Sequence, residues 1–160
     1  MSSALLTPLA DAVVASLNTQ FSPDTFTAQR VYDAMRALDS MGSTFWVDIV
    51  VGDKQCEPLD RSRQKNHLHV DIIVRQVITG VAAGSSGETT LLDGLMALVE
   101  SIDTYLSAPK QRVMPAPPAA RLAVWQGSET VVPYSPKKLR EQRLFYSLLR
   151  LSYLAVTDGT

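Results

Sequence analysis

Residues 68–75 read Leu-His-Val-Asp-Ile-Ile-Val-Arg, a run in which apolar and polar residues largely alternate. Successive side chains of a β-strand point to opposite faces. One face would therefore carry Leu68, Val70, Ile72 and Val74, and the other His67, His69, Asp71, Ile73 and Arg75. This pattern predicts a strand with one buried face and one mostly solvated face.

A second strand is predicted just upstream, because residues 44–51 alternate in the same way. Phe45, Val47, Ile49 and Val51 would share its buried face. The polar segment Gly52–Asn66 separates the two strands and is predicted to be a loop. Two β-rich runs joined by such a loop indicate an antiparallel pair. We expect this pair to form the centre of the sheet.

Two helices are predicted to pack on that sheet. The first begins at Thr7-Pro8, where Thr7 can cap the helix and Pro8 suits its first turn, and it ends near Asn18–Gln20. The second and longer helix carries apolar residues from Leu91 to Leu106 at helical spacing and stops at Pro109. Gly94 within it suggests close packing at that point.

The remaining elements complete an α+β pattern. Weaker strand signals span 26–32 and 120–125, a short helix follows Ser135-Pro136 through Glu141, and a last strand spans 144–156. The expected fold class is α+β, a mostly antiparallel sheet with the long helix and the N-terminal helix packed on one face. Residues 1–160 are predicted to form a single domain. Within it, 84–87 is a flexible connector, 113–118 a proline-rich extended segment, and 157–160 a frayed C-terminus.

Composition narrows the range of functions. The 160 residues include 15 Lys and Arg and 16 Asp and Glu, and the net charge of −1 creates no global field for nucleic acid or an anionic membrane. The single cysteine, Cys56, excludes an internal disulfide. The apolar run Leu5–Leu17 is interrupted by Asp11 and is predicted to be neither a secretory signal nor a membrane span. We expect a soluble, cytoplasmic protein.

His67, His69 and Asp71 are the clearest candidate for chemistry. They fall on one strand face at spacings of two residues, about 7 Å apart along the backbone, and could share a divalent metal. Asp48 is the only evident additional ligand. The alternative is a polar strand face that meets solvent or another subunit, and this alternative is favoured because no further histidine or cysteine cluster accompanies them.

Two basic clusters are candidates for contacts with partners. The first precedes the central strand and the second precedes the last one. The predicted interface residues are Arg61, Arg63, Lys65, Lys137, Lys138, Arg140 and Arg143. Cys56 lacks a positioned base, and the glycines match no phosphate-binding or dinucleotide motif. We therefore predict no catalytic residues, no cofactor and no metal.

The order of several short motifs resembles that of small neck proteins of tailed bacteriophages, in particular tail terminators. The motifs are FTAQRVY (26–32), WVDIVV (46–51), LDRSR (59–63), HVDIIV (69–74), LMALVESI (95–102), LREQRLFYS (139–147) and LRLSY (149–153). The resemblance covers roughly residues 9–156. The connector at 84–87 and the proline-rich segment match no feature of that family.

The resemblance implies an α+β subunit of a closed ring, commonly of six copies, at the head-proximal end of the tail tube. Such a ring stops tube growth and joins the tube to the head connector. The expected partners are other copies of this chain, the tail tube protein and the head–tail connector or adaptor. Neither membrane binding nor sequence-specific nucleic-acid binding is expected, although DNA could pass through the ring. The protein would lie in the tail or neck of the virion after assembly in the host cytoplasm.

Three alternatives remain open at the level of sequence. The protein could be the head–tail connector itself, which is typically twelvefold by the same resemblance. It could be a metal-binding module or enzyme that uses His67, His69 and Asp71. It could also be a monomeric host adaptor domain with an accidental likeness to the phage family. The number of copies in an assembly separates the first and last from a terminator, and metal analysis tests the second.

Overall fold

A computed structural model describes residues 4–33, 41–42, 44–115 and 122–158. These ranges contain three α-helices, α1 (Leu6–Phe21), α2 (Ser86–Ser107) and α3 (Pro136–Gln142). They also contain six strands, β1 (Ala28–Val31), β2 (Trp46–Pro58), β3 (Arg63–Val77), β4 (Val113–Pro115), β5 (Leu122–Val132) and β6 (Leu144–Asp158). A short 3₁₀ turn, Pro109–Gln111, follows α2.

The six strands form one sheet in the order β1-β2-β3-β6-β5-β4. All neighbouring strands are antiparallel except β1 and β2, which are parallel. The α+β prediction is therefore confirmed, with α1 and α2 packed on a curled, mostly antiparallel sheet. The longest ladder joins β3 to β6 from Arg63↔Asp158 to Val77↔Leu144.

The two faces of the sheet differ as the alternation predicts. Alternate residues of β2, β3 and β6 are buried against α1 and α2, and we call this side the helix face. Its central residues are Val47, Ile49, Leu68, Val70, Ile72, Val74, Phe145, Leu149, Leu151 and Tyr153, with Leu9, Val13, Leu17, Val99, Ile102 and Leu106 from the helices. The opposite side, the open face, contributes none of its described residues to this core cluster.

The hairpin of β2 and β3 is longer than predicted. The expected loop Gly52–Asn66 is wrong, because both strands continue through it and only residues 59–62 form the turn. The register shifts between Val51 and Lys54, so residues 52–53 form a bulge in a continuous strand. A Cβ atom on Gly52 would collide with the His69 carbonyl oxygen, so the glycine is needed for close approach of the two backbones.

The predicted helices are present, but their N-termini differ from expectation. Helix α1 begins at Leu6 with Leu5 at its N-cap and without a side-chain cap, so the capping role of Thr7 is wrong. Helix α2 begins at Ser86, inside the predicted connector 84–87. Gly84 takes the positive φ of +74°, and the Ser85 hydroxyl accepts a hydrogen bond from the Glu88 amide at 3.2 Å. The added Cβ at Gly94 would meet nothing within 4 Å, so that glycine does not mark close packing.

The C-terminal half also contains more strand than predicted. Residues 113–115 of the proline-rich segment form β4, while residues 116–118 lie outside the described ranges. The strand expected to end at Trp125 continues to Val132. Thr157 and Asp158 pair with Gln64 and Arg63, so fraying at these two positions is wrong; residues 159–160 lie outside the described ranges.

Two adjacent isoleucines of β3 test the difference between the faces. Ile72 is fully buried on the helix face, and Ile73 is partly exposed on the open face. We expect Ile72→Ala to lower the free energy of unfolding by about 2–5 kcal/mol in urea titrations, because it leaves a cavity in the core. Ile73→Ala should cost clearly less, since its side chain keeps contact with water. Equal losses would contradict an open face.

Candidate functional site: an open polar face and two basic ends

The polar residues of β3 each bond to a different partner on the open face. His69 Nδ1 lies 2.5 Å from Asp53 Oδ1 in the β2 bulge, and His67 Nε2 lies 3.2 Å from Glu57 Oε1. Arg150 of β6 donates from Nε to Asp71 Oδ1 at 2.9 Å. These three contacts form a row of charged and polar pairs across β2, β3 and β6.

This pairing weakens the metal hypothesis. The carboxylate of Asp71 faces the Arg150 guanidinium, and the ring nitrogens of His67 and His69 that face Glu57 and Asp53 serve as N–H donors, so these atoms are engaged within the subunit. Within the described ranges, no group of three His, Cys, Asp or Glu side chains could hold a metal ion. The His69 hydrogen bond also lowers the pKa of Asp53. The row is therefore arranged as ion pairs and hydrogen bonds, not as a ligand set.

Asp48, the proposed extra ligand, has a different role. It is buried beneath the open face and accepts hydrogen bonds from Arg75 at 2.5 Å and from Gln29 at 2.8 Å. A buried carboxylate requires such partners, and removal of one would leave a desolvated charge. Asp48 therefore joins β2 to β3 through Arg75 and to β1 through Gln29, at one end of the sheet.

The first basic cluster surrounds the β2–β3 turn. Asp60 Oδ1 accepts hydrogen bonds from the amides of Ser62 and Arg63, both at 2.9 Å, and Oδ2 accepts one from Arg63 Nε at 2.7 Å. The Ser62 amide and then the Arg63 side chain lower the pKa of Asp60 to about 2. Lys65 Nζ lies 3.9 Å from Glu57. Arg61 is exposed and makes no ion pair with any residue that the structure describes.

The second basic cluster is carried by α3. This helix begins as predicted, since the Ser135 hydroxyl accepts a hydrogen bond from the Lys138 amide at 3.3 Å and Pro136 occupies the first turn. Lys138 Nζ lies 4.8 Å from the centre of the Tyr146 ring. Lys137 and Arg140 are exposed, and neither pairs with an acidic side chain in the described part of the chain.

Arg143 connects three elements within the subunit. Its backbone takes the left-handed conformation (φ 50°) that ends α3. Its guanidinium bonds to Glu88 at the start of α2 and donates to the Val81 carbonyl oxygen at 3.0 Å. The Arg143 hydrogen bond lowers the pKa of Glu88. Arg143 therefore joins α2, α3 and the start of β6.

The two basic clusters lie at opposite ends of the sheet. The β2–β3 turn lies beside the last residues of β6, whereas α3 immediately precedes its first residue, Leu144. A ladder of this length spans about 45 Å at roughly 3.3 Å per residue. The clusters therefore cannot form one surface on a single subunit. Among the described residues of the two clusters, Arg61 at one end and Lys137 and Arg140 at the other are the cations left available for partners.

Two further surface features were candidates for chemistry. Cys56 is exposed on β2, and its thiol donates to Gln64 Oε1 at 3.2 Å. A shallow groove of about 540 Å³ separates the C-terminal end of α1 from the middle of α2 and is lined by Gln20, Phe21, Ala97, Glu100, Ser101, Thr104 and Tyr105. Neither feature brings a nucleophile together with a base from the described residues.

No protein-family model and no curated protein sequence matches this chain significantly. Among the described residues, the helices are too short or too polar to cross a membrane.

The partners of the candidate residues were not predictable individually from the sequence. Asp53 and Glu57 fall in the segment predicted to be a loop, and Arg150 lies 79 positions from Asp71. The available signal was limited to alternation in β6, which places Arg150 opposite the apolar residues of that strand. Only the strand register determines which charges meet.

The Asp60 contacts predict a pH dependence. Since the pKa of Asp60 falls from 3.8 in the unfolded chain to about 2 in the folded protein, its contribution to stability is present above about pH 4 and is lost as the pH falls through about 2. We expect the difference in unfolding free energy between wild type and Asp60→Asn to shrink over this range. An NMR titration should place the Asp60 carboxyl near 2, and a value near 3.8 would contradict these contacts.

Proposed function

We propose that this protein is a structural subunit of a tailed-bacteriophage neck, a tail terminator that assembles into a closed ring, commonly of six copies. The observation that carries the proposal is the position of two basic clusters at opposite ends of one continuous sheet. A ring between a tail tube and a head connector requires two docking ends, and the order of sequence motifs points to the same family. The proposed role involves no catalysis and no cofactor.

The β2–β3 hairpin supports a docking role at one end. Residues 53–58 of β2 are exposed throughout, and the turn carries the exposed Leu59 and Arg61, the latter without an ion pair among the described residues. This end of the sheet, where the turn lies beside the last residues of β6, can contact a neighbouring subunit or the tube below. Exposed cations at this turn favour an acidic partner surface and would orient docking more than they would strengthen it.

The other end is built differently, which suits a second partner. Lys137 and Arg140 are exposed on α3, and Arg143 joins that helix to α2. One end therefore presents its charges on a helix, whereas the other presents them on a short turn between paired strands. We propose that one end contacts the tail tube protein and the other the head–tail connector, in a virion assembled in the host cytoplasm.

The net charge of −1 fits protein docking better than nucleic-acid binding. On the open face, Asp71 pairs with Arg150 and Asp48 pairs with Arg75, and Asp53 bonds to His69, so these side chains are engaged within the subunit.

The solution mass tests the proposal directly. We expect light scattering to give six times the subunit mass of 17.5 kDa, and negative-stain images of the same fraction to contain rings with an open centre. A closed ring buries a heterologous interface that no isolated subunit can satisfy. Rings of twelve would transfer the assignment to the connector. A protein that stays monomeric both alone and when mixed with tail tubes would contradict the phage proposal.

A further inference from the structure

Two strands leave part of an edge unpaired among the described residues. β1 pairs only with Val47–Val50 of β2, so residues 51–58 of that strand have a partner on one side only; we call them the β2 edge. β4 pairs with residues 122–124 of β5, and the Trp125 amide donates to the Arg112 carbonyl oxygen at 2.6 Å, so residues 126–132 form a similar β5 edge. Unpaired backbone donors and acceptors of this kind are ready to accept a further strand.

We propose that the β2 edge of one copy pairs with the β5 edge of the next copy and joins the sheets around the ring. This inference rests on the proposed ring. Along the order β2-β3-β6-β5, each neighbouring pair is antiparallel, so β2 and β5 run in opposite directions. Rotation about a ring axis preserves strand direction, and the new pair is therefore antiparallel, like its neighbours.

The faces of the sheet select the register. Lys54 and Cys56 lie on the helix-face side of β2, since they pair with Leu68 and Asn66. Ser128 and Thr130 lie on the same side of β5, opposite Leu151 and Leu149.

If helix-face residues of one edge pair with helix-face residues of the other, and the midpoints of the two edges are aligned, Cys56 lies opposite Ser128. Lys54 then faces Thr130, Gln55 faces Glu129 and Glu57 faces Gly127. No like charges lie directly opposite each other in these four pairs, which is the arrangement that cross-strand pairing tolerates.

The two edges are offset from each other along the strand direction, and this offset fits a closed ring. Within one subunit, Cys56 lies at the same position along the strand direction as Ala155 of β6, because both pair with Asn66. Ser128 pairs with Leu151, which is four residues from Ala155 along β6. Four residues correspond to a rise of about 13 Å, and four strands to a width of about 19 Å. The resulting tilt of about 35° lies at the lower end of the range in which strands close into barrels. Because the strands tilt by this angle, an offset of four residues per subunit is compatible with a closed ring and does not require an open helical assembly of subunits.

The same register brings exposed apolar residues together at both ends of the joint. Tyr32, at the end of β1, is 75% exposed and would lie beside Tyr134, which follows β5. At the other end, Leu59 of the turn would lie beside Val113 of β4. Together with Val131 on the β5 edge, five of the seven large apolar residues that are exposed in the described part of the subunit lie at this joint. Such clustering is typical of an interaction surface.

Irregularities along both edges make the pairing selective. Bulges interrupt β2 between Val51 and Lys54, and β5 between Trp125 and Gly127 and between Thr130 and Val132. Bulges and edge charges prevent indiscriminate strand addition. The regular stretch that remains on each strand is short, so only an edge with matching bulges can pair over its full length.

The natural cysteine provides the test. Paired residues of adjacent antiparallel strands have Cα atoms about 4.5–5.5 Å apart, which a disulfide can span. We expect Ser128→Cys, under mild oxidation, to give a ladder of covalent multimers on non-reducing gels, because Cys56 of each copy would meet the introduced thiol of the next copy. Circular dichroism should match wild type, since Ser128 is exposed. The ladder should be absent from wild type and from the double variant Cys56→Ser with Ser128→Cys.

A matched control places the new thiol on α2 by Ser101→Cys, at an exposed serine away from both edges; no ladder is expected there. Cys56–Cys56 dimers in wild type would indicate a two-fold β2–β2 contact and overturn the proposal. Rings in light scattering without a ladder from Ser128→Cys would overturn the edge pairing and leave the proposed function standing. Absence of any oligomer, both in the isolated protein and after mixing with tail tubes, would overturn both.

Discussion

The pairing of β3 with β6 is the constraint on which the rest of the structure depends. The ladder runs without a register shift from Arg63↔Asp158 to Val77↔Leu144. It fixes which residues of both strands face α1 and α2, because a slip by one residue would reverse every side chain. It also sets the distance between the β2–β3 turn and α3, and so separates the two basic clusters. Every proposal for this protein follows from that separation and from the strands added on either side of the ladder.

The central strands could be predicted because one of their faces is continuously apolar. The distal hairpin could not, since residues 53–58 are polar on both sides and carry no alternation. The bulge at residues 52–53 also looks like a turn signal in the sequence, where Gly52 precedes Asp53. The end of β5 was missed for a similar reason, because bulges near Gln126 and Val131 break its period of two. The irregular edges were therefore the least predictable parts of the sheet.

The candidate site was likewise predictable only in part from the sequence. Strand alternation placed His67, His69 and Asp71 on one face, which the structure confirms, but it contained no information about Asp53, Glu57 or Arg150 as their partners. The basic clusters were evident from local runs of Lys and Arg in the sequence. Their placement at opposite ends, and the internal role of Arg143, required the three-dimensional register. Local patterns thus identified the residues, and tertiary contacts determined which of them remain available to a partner.

The proposed ring gives a single physical account of three features of the described subunit: two unpaired strand edges, exposed apolar residues at their ends, and exposed cations at either end of the sheet. Hydrogen exchange of the isolated oligomer, followed by mass spectrometry, tests this account most directly. Peptides covering residues 54–58 and 126–130 should be protected to a degree comparable with the centre of β3. Rapid exchange at both edges within an intact oligomer would contradict the account, because the copies would then be held together by other surfaces.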